Sequence, residues 1–234
     1  MKPLKSVGIV AVSAEGAALC YRTICNEAAS LLGEHRHPEI CLHSFSLADY
    51  MRPIDADRWD QVGELMLQSA DKLVAIGAEL LVCPDNTVHQ GLDLVRKRAP
   101  APWLHIAEQV ALVASACGYQ RLGILGTRYL MEGPVYPAAL AKHGIAYEIP
   151  EPAERKRINE IIFSELISGV LNGSSRQYFQ SVINQLASRH CDAVVLGCTE
   201  IPLLITGTDS VLPIIDSTRT LARAALRAAM DLDD

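Results

Sequence analysis

Short apolar runs alternate with longer stretches in which apolar residues recur every three or four positions. Val7–Val12 is β-branched and apolar, and Glu15–Leu32 has helical spacing. Ile40–Phe45 reads as a second strand and Asp60–Gly77 as a long amphipathic helix. Leu80–Cys83 reads as a strand buried on both faces, and Leu122–Leu125, Ala146–Ile149, Ala193–Leu196 and Val211–Ile214 resemble it. Helical spacing returns over Tyr136–His143, Ile158–Leu171, Tyr178–Arg189 and Thr218–Met230. Strands alternating with helices predict an α/β fold in which a mainly parallel sheet is flanked by helices. No linker rich in Gly, Ser or Pro divides the chain.

A faint internal repeat runs through this order. Gly8-Ile9-Val10-Ala11 reads like Gly123-Ile124-Leu125-Gly126, an offset of 115 residues. The run from Gly77 to Thr87 reads like that from His190 to Glu200, which sets Asp85 against Cys198 at an offset of 113. Two near-equal offsets predict two similar α/β lobes, with Asp85 and Cys198 at equivalent strand ends. Short strands also resemble one another by chance. In open α/β sheets the carboxyl ends of strands are where ligands bind.

Composition narrows the class. The chain has 234 residues, half of them hydrophobic, which excludes disordered and low-complexity classes. A net charge of −6 without a basic stripe argues against nucleic-acid or anionic-membrane partners. The longest apolar stretches, such as Val110–Cys117, are too short to span a bilayer, and the first residues lack an export signal. Seven cysteines without a Cys-x-x-Cys pair read as reduced thiols, so the expected location is cytoplasmic.

Two polar clusters could carry chemistry. Leu196-Gly197-Cys198-Thr199-Glu200 ends an apolar strand in a thiol, a hydroxyl and a carboxyl. Gly197 permits close backbone approach, and amide groups at a helix start would stabilise a Cys198 thiolate. The alternative is a buried, inert cysteine. Pro84-Asp85-Asn86-Thr87-Val88-His89 ends another strand. Asn86 and Thr87 offer donors suited to a carboxylate and Asp85 a general acid or base; the alternative is that Asp85 or Asn86 caps the next helix. Ser13 sits in the first strand-to-helix turn, where it either caps the helix or meets a ligand. Arg52, placed in a loop after Tyr50, is a candidate for a distal substrate carboxylate. The spacing of His35, His37, Cys41 and His43 fits no zinc pattern, and Arg155-Lys156-Arg157 reads as a solvated helix start. No P-loop, dinucleotide fingerprint or nucleophile elbow is present, so neither a metal nor a cofactor is called for.

These residues resemble the cofactor-independent aspartate/glutamate racemase superfamily over nearly the whole chain. The resemblance rests on Ser13, Glu15, Tyr21 and Arg22, on Asn86-Thr87 with His89, and on Gly126-Thr127-Arg128-Tyr129 with Met131, Glu132 and Tyr136. It rests most of all on Gly197-Cys198-Thr199-Glu200-Ile201-Pro202, and it extends to Asp216-Ser217-Thr218. It implies two α/β lobes related by a pseudo-two-fold with the site in the cleft, residues 1–107 plus 214–234 forming one and 108–213 the other. It implies proton removal and return at an amino-acid α-carbon, with Asn86, Thr87 and Thr199 holding the α-carboxylate and Ser13, Thr127 and Glu200 also toward the substrate. A homodimer is implied as well. The chain departs from the family at the first of its two cysteines, where Asp85 stands, and at Leu130, where relatives often carry a hydroxyl. The expectation is a racemase or epimerase with Cys198 and Asp85 as its proton carriers on a small amino acid or carboxylate. The alternatives are a single-cysteine lyase or isomerase of the same superfamily, decarboxylase-like, and a catalytically silent binder of small carboxylates.

Overall fold

The computed structural model describes residues 3–232. The chain forms two compact units, residues 1–106 with 218–234 and residues 107–217. In the first, β1 (Val7–Ala11), α1 (Ala14–Leu32), β2 (Ile40–Ser44), α2 (Leu47–Asp55), α3 (Trp59–Ala75), β3 (Leu80–Val82), α4 (His89–Val95) and β4 (Trp103–Leu104) follow in order. From Ala107 the second is built of α5 (Ile106–Ala116), β5 (Arg121–Leu125), α6 (Arg128–Glu132), α7 (Val135–Ala141), β6 (Ala146–Glu148), α8 (Pro152–Ser164), α9 (Gly173–Ser188), β7 (Ala193–Leu196), α10 (Ile201–Leu204) and β8 (Ile214–Asp216). The last helix, α11 (Ser217–Ala229), returns to the first unit.

Each unit holds one four-stranded sheet with every pair parallel, in the order β2-β1-β3-β4 or β6-β5-β7-β8. The two orders are the same, as the internal repeat predicts. Helices cover the sheets on both faces, which is why the central strands are apolar apart from Arg121 at the start of β5. On β7, Val194 and Leu196 join Phe179, Ile183 and Leu186 of α9, while Ala193 and Val195 join Val110 of α5 and Leu140 of α7. In the first sheet Val7, Ile9 and Val82 pack against Cys20 and Ile24 of α1 and Leu221 and Leu226 of α11.

The glycines that carry the repeat have a physical reason. A Cβ on Gly8 would lie 2.8 Å from Ala78 Cβ and 3.3 Å from Leu73 Cβ. One on Gly123 would lie 2.8 Å from Leu186 Cδ1. Both therefore let a covering helix press onto the central strand. A second close approach joins α3 to α4: a Cβ on Gly63 would meet Gly91 O at 2.6 Å, and one on Gly91 would meet Gly63 N at 2.8 Å.

Several boundaries differ from the sequence reading. The last strand is Ile214–Asp216 rather than Val211–Ile214. Ser210 Oγ donates to Leu212 O and accepts from Leu212 N–H, folding that stretch into a bend; Pro213 then offers only its carbonyl, to Val194 N–H. Helix α8 starts at Pro152, seated by a Glu151/Glu154 capping box, six residues before the apolar spacing begins at Ile158, and its first turns hold the solvated Arg155-Lys156-Arg157. Helix α2 was missed because Pro53 lies inside it, and Arg52 belongs to its last turn rather than to a loop.

Candidate functional site

Parallel pairing fixes which loops share an end of each sheet. Ile9 pairs with Val82, so the residues following β1 and β3 emerge side by side. These are Ser13 and the turn Asp85-Asn86-Thr87. Ser13 caps α1, its Oγ accepting the Gly16 N–H at 3.2 Å. Asp85 is half-buried and its Oδ1 accepts the Val88 N–H at 3.3 Å, closing the turn that leads into α4; the N-cap of that helix is Val88, which has no side-chain cap. Asn86 is buried and Thr87 half-buried.

The Asp85 turn rests on a buried base. Two residues before Asp85, the Cys83 thiol lies in the core, pushed well above its ordinary range by burial and then by the Asp85 charge. Tyr50 of α2 is fully buried, with its hydroxyl lacking a hydrogen-bond partner among the described residues. Burial foremost, then Cys83 and Asp85, raises that hydroxyl. His89 is also fully buried: its Nδ1 lies 2.7 Å from Asp85 O and its Nε2 accepts the Ile106 N–H at 3.3 Å. Burial holds its imidazole well below the usual range. Neither Tyr50 nor His89 was singled out for a role by the sequence. His89 had a legible signal, since it stands four residues after Asp85, one helical turn on.

In the second unit Leu125 pairs with Leu196 and Leu196 with Asp216, so Thr127, Cys198 and Ser217 follow their strands at one level. Thr127 caps α6, its Oγ1 accepting the Leu130 N–H at 3.3 Å. Leu130 is buried and fills the space beside Gly197: a Cβ there would meet Leu130 Cδ2. Cys198 is half-buried and its Sγ donates to Glu200 Oε2 at 2.9 Å. Glu200 is itself 3% exposed and Thr199 5% exposed, so the thiol faces an enclosed carboxyl. The helix that follows, α10, spans four residues and begins three positions after Cys198, so a hydrogen bond to the Glu200 carboxyl orients the thiol here. Behind it, Ser217 Oγ donates to Leu196 O at 2.9 Å and is hydrogen-bonded to the buried Tyr136.

The remaining candidates lie elsewhere. Arg52 is exposed on α2. Arg155 donates to Glu132 Oε1 at 2.9 Å and to Pro150 O at 2.8 Å. His37 bonds Pro38 O and His43 bonds Ser69 Oγ, so their rings serve separate local contacts.

Comparison with known proteins bears on the reaction. The family model described as Asp/Glu/hydantoin racemase matches residues 9–225. The broad specificity amino-acid racemase RacX of Bacillus subtilis (strain 168) is 24% identical over 194 residues, 81% of each chain. The structure of a candidate Asp/Glu racemase from Yersinia pestis superposes with a TM-score of 0.89 at 32% identity, covering 97% of this chain and 100% of that one. An aspartate racemase homologue from Pyrococcus horikoshii OT3 gives 0.84 at 25% identity, with the same coverage of 97% and 100%.

Proposed function

We infer the reaction from a membership: this chain belongs to the Asp/Glu/hydantoin racemase family. It is read as a racemase or epimerase of a small amino acid, working by proton transfer at the α-carbon with Asp85 and Cys198 as the two proton carriers. The intermediate is planar at carbon, so inversion needs one carrier for each face. In one direction the Asp85 carboxylate takes the α-proton: the C–H bond breaks, its electron pair passes into the substrate carboxylate, and an O–H bond forms. The Cys198 thiol then gives its proton to the opposite face and is left as thiolate. The reverse direction starts from that second form, the Cys198 thiolate removing the proton and protonated Asp85 returning it. Exchange with solvent interconverts the two forms.

The charge that builds on the substrate carboxylate needs donors held in advance. Asn86, Thr87 and Thr199 are assigned to it, with Ser13 and Thr127 at the neighbouring strand ends. The hydrogen bond from Cys198 Sγ to Glu200 supports a role for Glu200 in orienting the thiol and receiving its proton when the thiolate is required. Arg52 keeps a part only for a substrate with a second carboxylate.

The observation that supports this reading most is the equivalent placement of the two carriers. Asp85 follows the third strand of one sheet and Cys198 the third strand of another with the same strand order. The test is to incubate each enantiomer of aspartate, glutamate and a panel of neutral amino acids in deuterated water. Deuterium should enter the α-position, and Cys198→Ser should slow it by about 10²- to 10⁴-fold, the usual worth of one acid–base group. No exchange from any amino acid would sink the reading. Carbon dioxide release from an α-substituted malonate, without exchange, would transfer the site to the decarboxylase-like alternative.

A further inference from the structure

We propose that His89 is a positioning residue for Asp85 and Asn86, its ring setting the peptide plane that joins them. The inference rests on the reaction read above and adds a residue outside it. Every polar atom of the ring is committed. Asp85 O can only accept, so Nδ1 carries the proton and donates to it at 2.7 Å. The Ile106 N–H can only donate, so Nε2 is bare and accepts at 3.3 Å. One neutral tautomer satisfies both bonds, and a protonated ring would set two N–H groups against each other at Ile106.

The ring is also held from behind. His105 packs edge-on to it with centroids 4.4 Å apart, and His105 Nε2 stands 3.4 Å from Asp93 Oδ1. Helix α4, which begins at His89, is seated on α3 through Gly63 and Gly91. The carbonyl that His89 grips belongs to the peptide between Asp85 and Asn86. Rotation of that plane would swing the Asp85 carboxyl and the Asn86 amide together. A buried leucine would fill the same volume without gripping anything, so the polar ring is explained by the turn it orients.

Isosteric amides separate the two ring nitrogens. His89→Asn can place an N–H where Nδ1 stands, and His89→Gln a polar atom where Nε2 stands. His89→Asn should keep kcat for α-deuterium exchange within about tenfold of the wild type, whereas His89→Gln and His89→Leu should lose about 10²-fold, the scale of a misplaced reacting group, with KM changing less. All three should lower Tm by similar amounts, so activity and stability part company. In the wild type, ¹⁵N NMR should find the Nδ1–H tautomer of His89. Equal losses in His89→Asn and His89→Gln, losses that track Tm, or the Nε2–H tautomer would each overturn the positioning role. A wild type without exchange would instead overturn the reaction on which it rests.

Discussion

A thiol's reactivity here follows from where its residue falls. Burial pushes Cys20 up to about 12 and Cys191 up to about 11, and burial with the Asp85 charge raises the equally buried Cys83 well above the usual thiol range. Cys198 is half-buried and Cys117 exposed. Brief treatment with iodoacetamide at pH 8 should label Cys198 and Cys117 and spare Cys20, Cys83 and Cys191. Substrate should protect Cys198 alone, as peptide mass mapping would read. The buried His89 makes a second residue-level prediction. Its pKa is lowered on folding, so below about pH 6.5 the unfolded chain binds a proton that the native one refuses. Its contribution is therefore complete above that pH and fades as the medium is acidified, by at most about 1.4 kcal/mol per pH unit. His43, lowered by burial and by Lys72, acts in the same direction. Denaturant titrations between pH 7 and 5 should show stability falling, and His89→Asn should flatten the slope; an unchanged slope would refute the assignment.

At the level of strands and helices, packing of the covering helices explains what could and could not be read in advance. The central strands were legible because both faces are buried, and the repeat because Gly8 and Gly123 admit helices at equivalent places. Their surroundings differ, however. A methyl on Gly8 meets the Cβ atoms of Ala78 and Leu73, which cannot move without backbone, while one on Gly123 meets the end of the Leu186 side chain, which can rotate. Gly8→Ala should cost about 1–3 kcal/mol and Gly123→Ala less, measured as urea-unfolding midpoints. Short elements were hidden from the sequence. Helix α2 carries a proline, β4 has two residues, and β8 begins after Pro213 and ends on a polar aspartate, so none shows a sustained period. Pairing with β7 makes β8 a strand despite its composition. Within the candidate site, Cys198 and Asp85 stood out as polar residues at strand ends. The Cys198–Glu200 bond and the His89 bridge depend on rotamers that no spacing rule encodes.

The chain taken entire is two sheets of one design, each ending its third strand in a different reactive group. Asp85→Cys would put a thiol at both ends. That variant should racemise aspartate or glutamate, assayed by circular dichroism of each enantiomer; no racemisation would show that selectivity lies in the substrate-holding residues and not in the choice of proton carrier. The turn bearing Asp85 leans on α4, and α4 on α3, through Gly63 and Gly91. Neither glycine owns a side chain that could bind or react. A census of functional groups would pass over both, although the acid at the rim of the sheet stands where it does on account of two methyl groups that were never there.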